Sequence, residues 1–306
     1  MPPRITPLTD PESTSSSRRL AWLASDAEGV PVGSAFLRLS TEEGRDHRAG
    51  LEIAVHPAER RAGVGGALLD AAVAAARRDE RRSLVCPVTA GSPGDGFLAA
   101  RGFHQALALT FARLALPELD LRPITEIVER PHPGYELTHW DGVVPPGPAH
   151  SYADSRRAMD DMPMEGSDHG IDVWDVERVV AVAEVVLERG DALQTVAVVD
   201  RSDGSIVGFS ELVVPGDGRG DAQHYGTGVL PEHRGHGLGL WMKAESIRLA
   251  RLRHPDLTGL LTDTADSNAP MIGINDALGY RPTHRELEYR LDLRPTGVAF
   301  GVRQRP

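Results

Sequence analysis

The sequence predicts an α/β fold built from two tandem units, each a mixed, mostly antiparallel sheet flanked by helices. Three observations predict it. The run Val55-x-Pro57-x-x-Arg60-x-x-Gly63-x-Gly65 recurs as Val229-x-Pro231-x-x-Arg234-x-x-Gly237-x-Gly239, shifted by 174 positions. The turn signals Glu28-Gly29 and Asp203-Gly204, and the pairs Val32-Gly33 and Val207-Gly208 behind them, repeat at 175; Arg101-Gly102-Phe103 answers Leu278-Gly279-Tyr280 at 177. The second copy also reads as strand-strand-strand-helix-strand-helix-strand, an order that mixes antiparallel hairpins with one parallel crossover.

Its elements follow in order. Thr195–Asp200 and Ser205–Val214 read as strands around the Asp203-Gly204 turn, and Ala222–Val229 as a third strand leading into the Gly-rich loop. Leu240, Ala244, Ile247 and Ala250 give a helix from about Leu238 to Arg253 an apolar face, and His254-Pro255 stops it. Thr258–Thr262, a helix near Pro270–Leu278 and a last strand Glu286–Leu291 complete the unit. Ahead of it, Ala149–Asp160 and the amphipathic Val173–Arg189 read as helices. The first copy is preceded only by a short segment rich in Pro, Ser and Thr, read as disorder-prone. Pro117, Pro123, Pro131 and Pro133 punctuate a linker between the copies, which places the domains at 1–125 and 126–306.

Bulk properties narrow the function. At 306 residues the chain is long enough for two cores, and its composition is globular, with 41% apolar and 25% charged residues. No apolar run is long enough to span a bilayer. A net charge of −11 argues against nucleic acid as a partner and favours cationic substrates. Residues Met1 to Arg19 lack the basic start and apolar middle of a secretory signal, so a cytoplasmic location is expected. The single cysteine, Cys86, suits a reducing compartment and reads as a buried strand residue. A homodimer is left open.

The repeated loop carries the chemistry. A strand that turns through Arg and Gly into a helix aims backbone N–H groups at one spot, with the positive end of the helix dipole behind them. That is a place for a pyrophosphate. His233 and His236 flank the loop at a spacing of three, but no third ligand lies near them, so no metal site is expected.

Two such loops in matching strand–loop–helix settings, each followed by an x-Gly-aromatic ending, resemble the GNAT acetyltransferase superfamily over nearly the whole chain. His233-Arg-Gly-His-Gly-Leu-Gly239, with Thr262, Asn268, Met271, Asn275 and Leu278-Gly-Tyr280 behind it, resembles the C-terminal half of tandem GNAT proteins of actinobacteria. The resemblance implies an N-acetyltransferase that uses acetyl-CoA, with its pyrophosphate on Arg234, Gly235, His236, Gly237, Leu238 and Gly239. The backbone at Val229 and Leu230 would grip the pantetheine and polarise the thioester carbonyl. Asn268 and Asn275 stand where the family holds the pantetheine and protonates the thiolate; the first copy has Gly91 and Leu98 there. The first copy is therefore expected to be degenerate and the second catalytic. Asn275 cannot supply a proton as a phenol does, and Tyr225 is a substitute donor, with a core tyrosine as its plainer reading. The general base is open between His224 and Glu211.

Asp154, Asp160, Asp161, Glu165, Asp168, Asp172, Asp175 and Glu177 either attract a cationic small-molecule amine or form a solvated face. A protein or peptide acetyltransferase and a non-catalytic acyl-CoA-binding module are the rival functions.

Overall fold

The computed structural model describes residues 2–9, 17–41, 46–160 and 173–293. They fall into two compact units. Unit 1 comprises the described residues up to Ala108 together with those from Glu286 onward; unit 2 comprises those from Leu109 to Arg285. In chain order the elements are β1 (Arg4–Leu8), β2 (Ser17–Ser25), β3 (Pro31–Ser40), β4 (Arg48–Val55), α1 (Val64–Arg78), β5 (Ser83–Thr89), α2 (Pro93–Ala100) and β6 (His104–Ala115). There follow α3 (Leu121–Val128), β7 (Tyr135–Asp141), α4 (Ala149–Ser155), α5 (Val176–Glu188), β8 (Ala192–Asp200), β9 (Ile206–Val214) and β10 (Gly220–Val229). Last come α6 (Leu238–Arg253), β11 (Leu257–Ala265), α7 (Ala269–Ala277) and β12 (Arg281–Asp292).

Unit 1 orders its strands β1-β2-β3-β4-β5 and closes on residues Glu286–Asp292 of β12, which run antiparallel to β5. Unit 2 orders its strands β7-β8-β9-β10-β11 and closes on residues Leu109–Ala115 of β6, antiparallel to β11. In each unit one pair is parallel, β4 with β5 and β10 with β11. Both sheets are therefore mixed and mostly antiparallel, as expected.

Three expectations are corrected. The boundary at 125/126 does not follow the compact units, because Leu287 and Tyr289 of β12 pack into the unit 1 core while Ala112 and Leu114 of β6 pack into that of unit 2. The Pro-punctuated stretch is no free linker: it holds α3, whose Ile124 and Ile127 pack with Ala244 and Ile247 of α6. The Trp241 indole N–H also donates to the Val128 carbonyl at 2.8 Å. Pro123 is accommodated because it sits in the first turn of α3, where its missing N–H has no helical partner to lose. The segment read as disorder-prone contains β1, paired with β2 from Arg4 opposite Ser25 to Leu8 opposite Ala21.

Every residue of β9 is buried, because helices cover both faces of the unit 2 sheet. Leu212 packs with Ala244 and Ile247 of α6, whereas Phe209 packs with Tyr152 and Ala153 of α4. Cys86 lies in the unit 1 core, and burial, with Glu52 adding to it, pushes its thiol up to about 12. It is a core residue, as read.

Candidate active site

In unit 2, β10 and β11 pair only from Gly220 to Gln223 on β10, and beyond Gln223 opposite Leu261 the two strands part. The parting opens a cleft at the C-terminal ends of the parallel pair, where α/β sheets hold ligands. Just past it, the β9–β10 register slips by one residue between His224 and Gly226, so Tyr225 forms a bulge. Unit 1 repeats the parting, since β4 and β5 pair only from Arg48 to Gly50, but its β3–β4 register is unbroken.

The loop after β10 is built for an anion. Arg234 folds back to donate from Nε to the Val229 carbonyl at 2.9 Å and from Nη2 to the Ala158 carbonyl at 3.4 Å. Gly235 and Gly237 take φ of 83° and 75°, a region that suits glycine. Gly237 is the N-cap of α6, which has neither a side-chain cap nor an acidic residue in its first turn. By contrast α2, α3, α5 and α7 are capped by Ser92, Asp120, Asp175 and Asn268. The first-turn amides of α6 thus remain for a ligand. Leu238 is buried and anchors the turn, while a Cβ on Gly239 would come within 3.1 Å of Ile274 Cδ1. The loop of unit 1 has the same construction, with Gly63 as a left-handed N-cap, no side-chain cap and no first-turn acid.

Two of the expected contacts are engaged elsewhere. The Val229 carbonyl accepts from Arg234, and the Leu230 amide donates to the Val207 carbonyl at 2.9 Å. The free strand edge that could meet a carbonyl is instead the β11-facing side of β10 beyond Gln223.

The predicted catalytic residues separate sharply. Tyr225 is 49% exposed, so the core reading of it is overturned by the bulge that turns it out. Glu211 is buried, its carboxylate held bidentately by Arg156 at 2.9 and 2.5 Å and by the Tyr152 hydroxyl. Arg156 lies over Phe209, Trp174 and Tyr152 at 4.4, 4.6 and 5.1 Å from the ring centroids, which seals the pair. Burial and then the Glu211 charge push the Tyr152 phenol up, so it stays a donor. A carboxylate so occupied is a poor base, and it is no outward-facing strand residue.

His224 is also buried, with Nε2 2.8 Å from the Tyr280 hydroxyl. Burial, and after it the Lys243 charge, hold its imidazole well below the ordinary range, so it is neutral. Asn275 is buried with both amide ends engaged: Oδ1 accepts from Lys243 Nζ at 2.6 Å and Nδ2 donates to Thr264 Oγ1 at 3.0 Å. Its side chain faces this network, so its expected place beside the departing thiolate loses its geometric basis. Asn268 caps α7, accepting from the Met271 amide at 3.2 Å.

Lys243 was not singled out by the sequence reading. It is buried on α6, donates also to Thr262 Oγ1 at 3.3 Å and lies 4.8 Å from the Tyr280 ring centroid. Burial pushes its amine down to about 7, against a smaller upward pull from Asp263. Its position three residues after Leu240 on the apolar face was the available signal.

Around the loop, His233 Nδ1 lies 3.1 Å from the Tyr135 hydroxyl and His236 sits against the Tyr135 ring. No group of three His, Cys, Asp or Glu side chains able to hold a metal occurs among the described residues. Of the acidic stretch, Asp154 and Asp160 are exposed and Asp175 caps α5 with Glu177 in its first turn. Asp161, Glu165, Asp168 and Asp172 lie outside the described residues. Among the described residues no helix is long and apolar enough to cross a membrane.

Comparisons with known proteins give the family and agree with the fold. An acetyltransferase (GNAT) domain matches residues 17–105, and the acetyltransferase (GNAT) family matches residues 164–280. A mycothiol acetyltransferase of Clavibacter michiganensis subsp. michiganensis is 30% identical over 270 residues, 86% of this chain and 77% of that protein. The mycothiol acetyltransferase of Clavibacter sepedonicus is 29% identical over 272 residues, 88% of this chain and 79% of its own. Among solved structures, a tandem GNAT protein from the clavulanic acid biosynthesis pathway aligns with a TM-score of 0.68 at 24% identity, over 93% of this chain and 86% of that one. A GCN5-related N-acetyltransferase from Sphaerobacter thermophilus aligns with a TM-score of 0.62 at 16% identity, over 90% and 81% of the two chains. These two likenesses speak for the fold, and the sequence matches for the family. With a recognisable domain in each half and a homologous mycothiol acetyltransferase spanning both, the chain belongs to the GNAT acetyltransferases as a tandem member.

Proposed function

We propose that unit 2 transfers an acetyl group from acetyl-CoA to the amine of a small, cationic molecule. The observation that carries this reading is the cleft between β10 and β11 opening in front of an uncapped α6. Acetyl-CoA would supply the acetyl group already activated as a thioester. The amides from Gly235 to Gly239 would hold its diphosphate, backed by the helix dipole and stiffened by Arg234. The N–H groups on the free edge of β10 would hydrogen-bond a carbonyl oxygen as negative charge develops on it. Tyr225, the exposed member of the four predicted catalytic residues, would place its hydroxyl beside that edge as the proton donor to the leaving thiolate. A mycothiol-type acceptor is the first to assay, given the name of the relatives, and the exposed Asp154 and Asp160 would favour a cation.

Thiol release from acetyl-CoA, measured with a panel of small amines and with peptides, tests this. We expect turnover with a small amine. Tyr225→Phe should lower kcat by roughly 10- to 100-fold and leave the KM for acetyl-CoA within about twofold. Silence across the amines despite bound acetyl-CoA, or turnover with peptides alone, overturns the reading.

A further inference from the structure

The duplicated fold provides its own control for the buried network of unit 2. His224 and Leu51 occupy the same place: each is opposite a leucine of the preceding strand, Leu212 or Leu37, and each follows the last parallel pair, Gln223–Leu261 or Gly50–Val85. Continuing those registers, Thr262 matches Cys86. The loop offset matches Lys243 with Leu69, and the closing Gly-aromatic pairs match Asn275 with Leu98 and Tyr280 with Phe103. All five unit 1 residues lie in one apolar core. The fold therefore needs no polar group at these places, and a lysine among them calls for another reason.

The surroundings of Lys243 define what it lacks. Its amine meets two neutral oxygens, Asn275 Oδ1 and Thr262 Oγ1, and the face of Tyr280. That is a cradle for an ammonium, yet among the described residues no carboxylate forms an ion pair with it. The titratable groups that face it are His224 from β10 and Tyr280 after α7; Asp263 of β11 is exposed on the opposite face of the sheet and acts on it only as a distant charge, and α7 offers the neutral Asn275. The side chains clustered on this stretch of α6 from α3, β6 and β9, namely Ile124, Ile127, Leu114 and Leu212, are apolar. Lys243 is also five residues past Leu238, the start of the helix whose first turn forms the anion loop, about 7.5 Å along the axis.

We propose that Lys243 is the buried counter-cation of the cofactor: filling the loop at the start of α6 with the phosphates of an acyl-CoA loads a proton onto its amine. The inference rests on the acyl-CoA reading of that loop. The amine takes its proton from solvent and becomes an ammonium, the form that the two oxygens and the ring accommodate. At about 7 the free enzyme keeps this group near half-protonated at neutral pH, so a nearby anion has room to shift it. A negative charge roughly 10 Å away in a medium of effective dielectric about 20 raises proton affinity about tenfold.

Calorimetry of acetyl-CoA binding near pH 7.5 in buffers of different ionisation enthalpy measures the proton uptake. The wild type should take up about half a proton more than Lys243→Met or Lys243→Leu, the latter being the residue unit 1 carries. Uptake by other groups at the loop or by the ligand's own phosphates remains in the variants and cancels in the comparison. Binding with equal uptake in wild type and variants overturns the inference while leaving the acyl-CoA site intact. No binding heat with acetyl-CoA or CoA in any of them removes the site itself, and the inference with it. A titration of the Lys243 amine by NMR in the wild type, with and without CoA, reads the same shift without any variant; an unmoved midpoint overturns it.

Discussion

Lys243 and Glu211 are enclosed on opposite faces of one sheet, since Glu211 and Leu212 are consecutive on β9 and Leu212 shares its face with His224. The two charges are handled differently. Glu211 has a partner, so the expected loss on breaking the pair is large: Arg156→Met should cost about 3–5 kcal/mol, because it leaves a carboxylate buried and unpaired. Replacing both partners with apolar residues should cost less than either single change. A urea unfolding series on the three proteins checks this, and a loss under about 0.5 kcal/mol for Arg156→Met would mean the carboxylate is not enclosed. Lys243 instead makes stability depend on pH. Its amine is held at about 7 when folded against 10.5 in the reference state, so the unfolded chain binds more protons between these values. Stability of unit 2 should rise with pH across that window, by on the order of 5 kcal/mol in full. His224, held below its ordinary range, adds a fall in stability as pH drops through about 6.5. The rise should vanish in Lys243→Leu; a variant whose urea midpoint still climbs with pH would refute the account.

The strand–loop–helix element that repeats in both units differs between them in two ways that bear on function. Unit 2 has Gly235 at φ 83° where unit 1 has Arg61 at φ 68°, so only unit 2 adopts this left-handed turn without side-chain strain. Only unit 2 has the bulge that turns Tyr225 to the surface. Arg234 ties its loop to two carbonyls of unit 2, and removing that tie should loosen the amides that meet the anion. Arg234→Ala should weaken acetyl-CoA binding at least about tenfold, the scale of one charge-assisted hydrogen bond, and change thermal stability little because the side chain is exposed. Unchanged affinity by calorimetry would place the cofactor elsewhere.

Across the molecule, the assignment of closing strands is the feature with the widest consequence. Unit 1 is finished by Glu286–Asp292, which brings Leu287 and Tyr289 into its core, and the Tyr289 hydroxyl donates to Asp95 at 2.7 Å. Ending the chain at Arg285 should therefore destabilise unit 1, although the cut lies at the far end of the sequence. Hydrogen exchange should show lost protection at Ser83–Thr89 and retained protection at the β10–β11 pairing. Protection lost first in β11 would mean that the last strand completes unit 2 instead.

The element order of the second copy from Thr195 onward, the duplicated loop and the family were legible in the chain, because turn glycines, helix periodicity and the repeat spacing are local signals; β1, α3 and β7 were not. The helix from Leu238 to Arg253 and the turns at Gly29 and Gly204 are of this kind. The destination of the closing strands was not, since Leu109–Ala115 and Glu286–Asp292 have similar patterns and only long-range pairing distinguishes their partners. Nor was the fate of the polar residues: Glu211, His224 and Asn275 look like site residues in a string of letters and are enclosed by Arg156, Tyr280 and Lys243 from distant segments. Local chemistry specified the pieces and the phosphate loop. Burial, which depends on what packs against each side chain, decided which polar groups meet a ligand and which serve the interior.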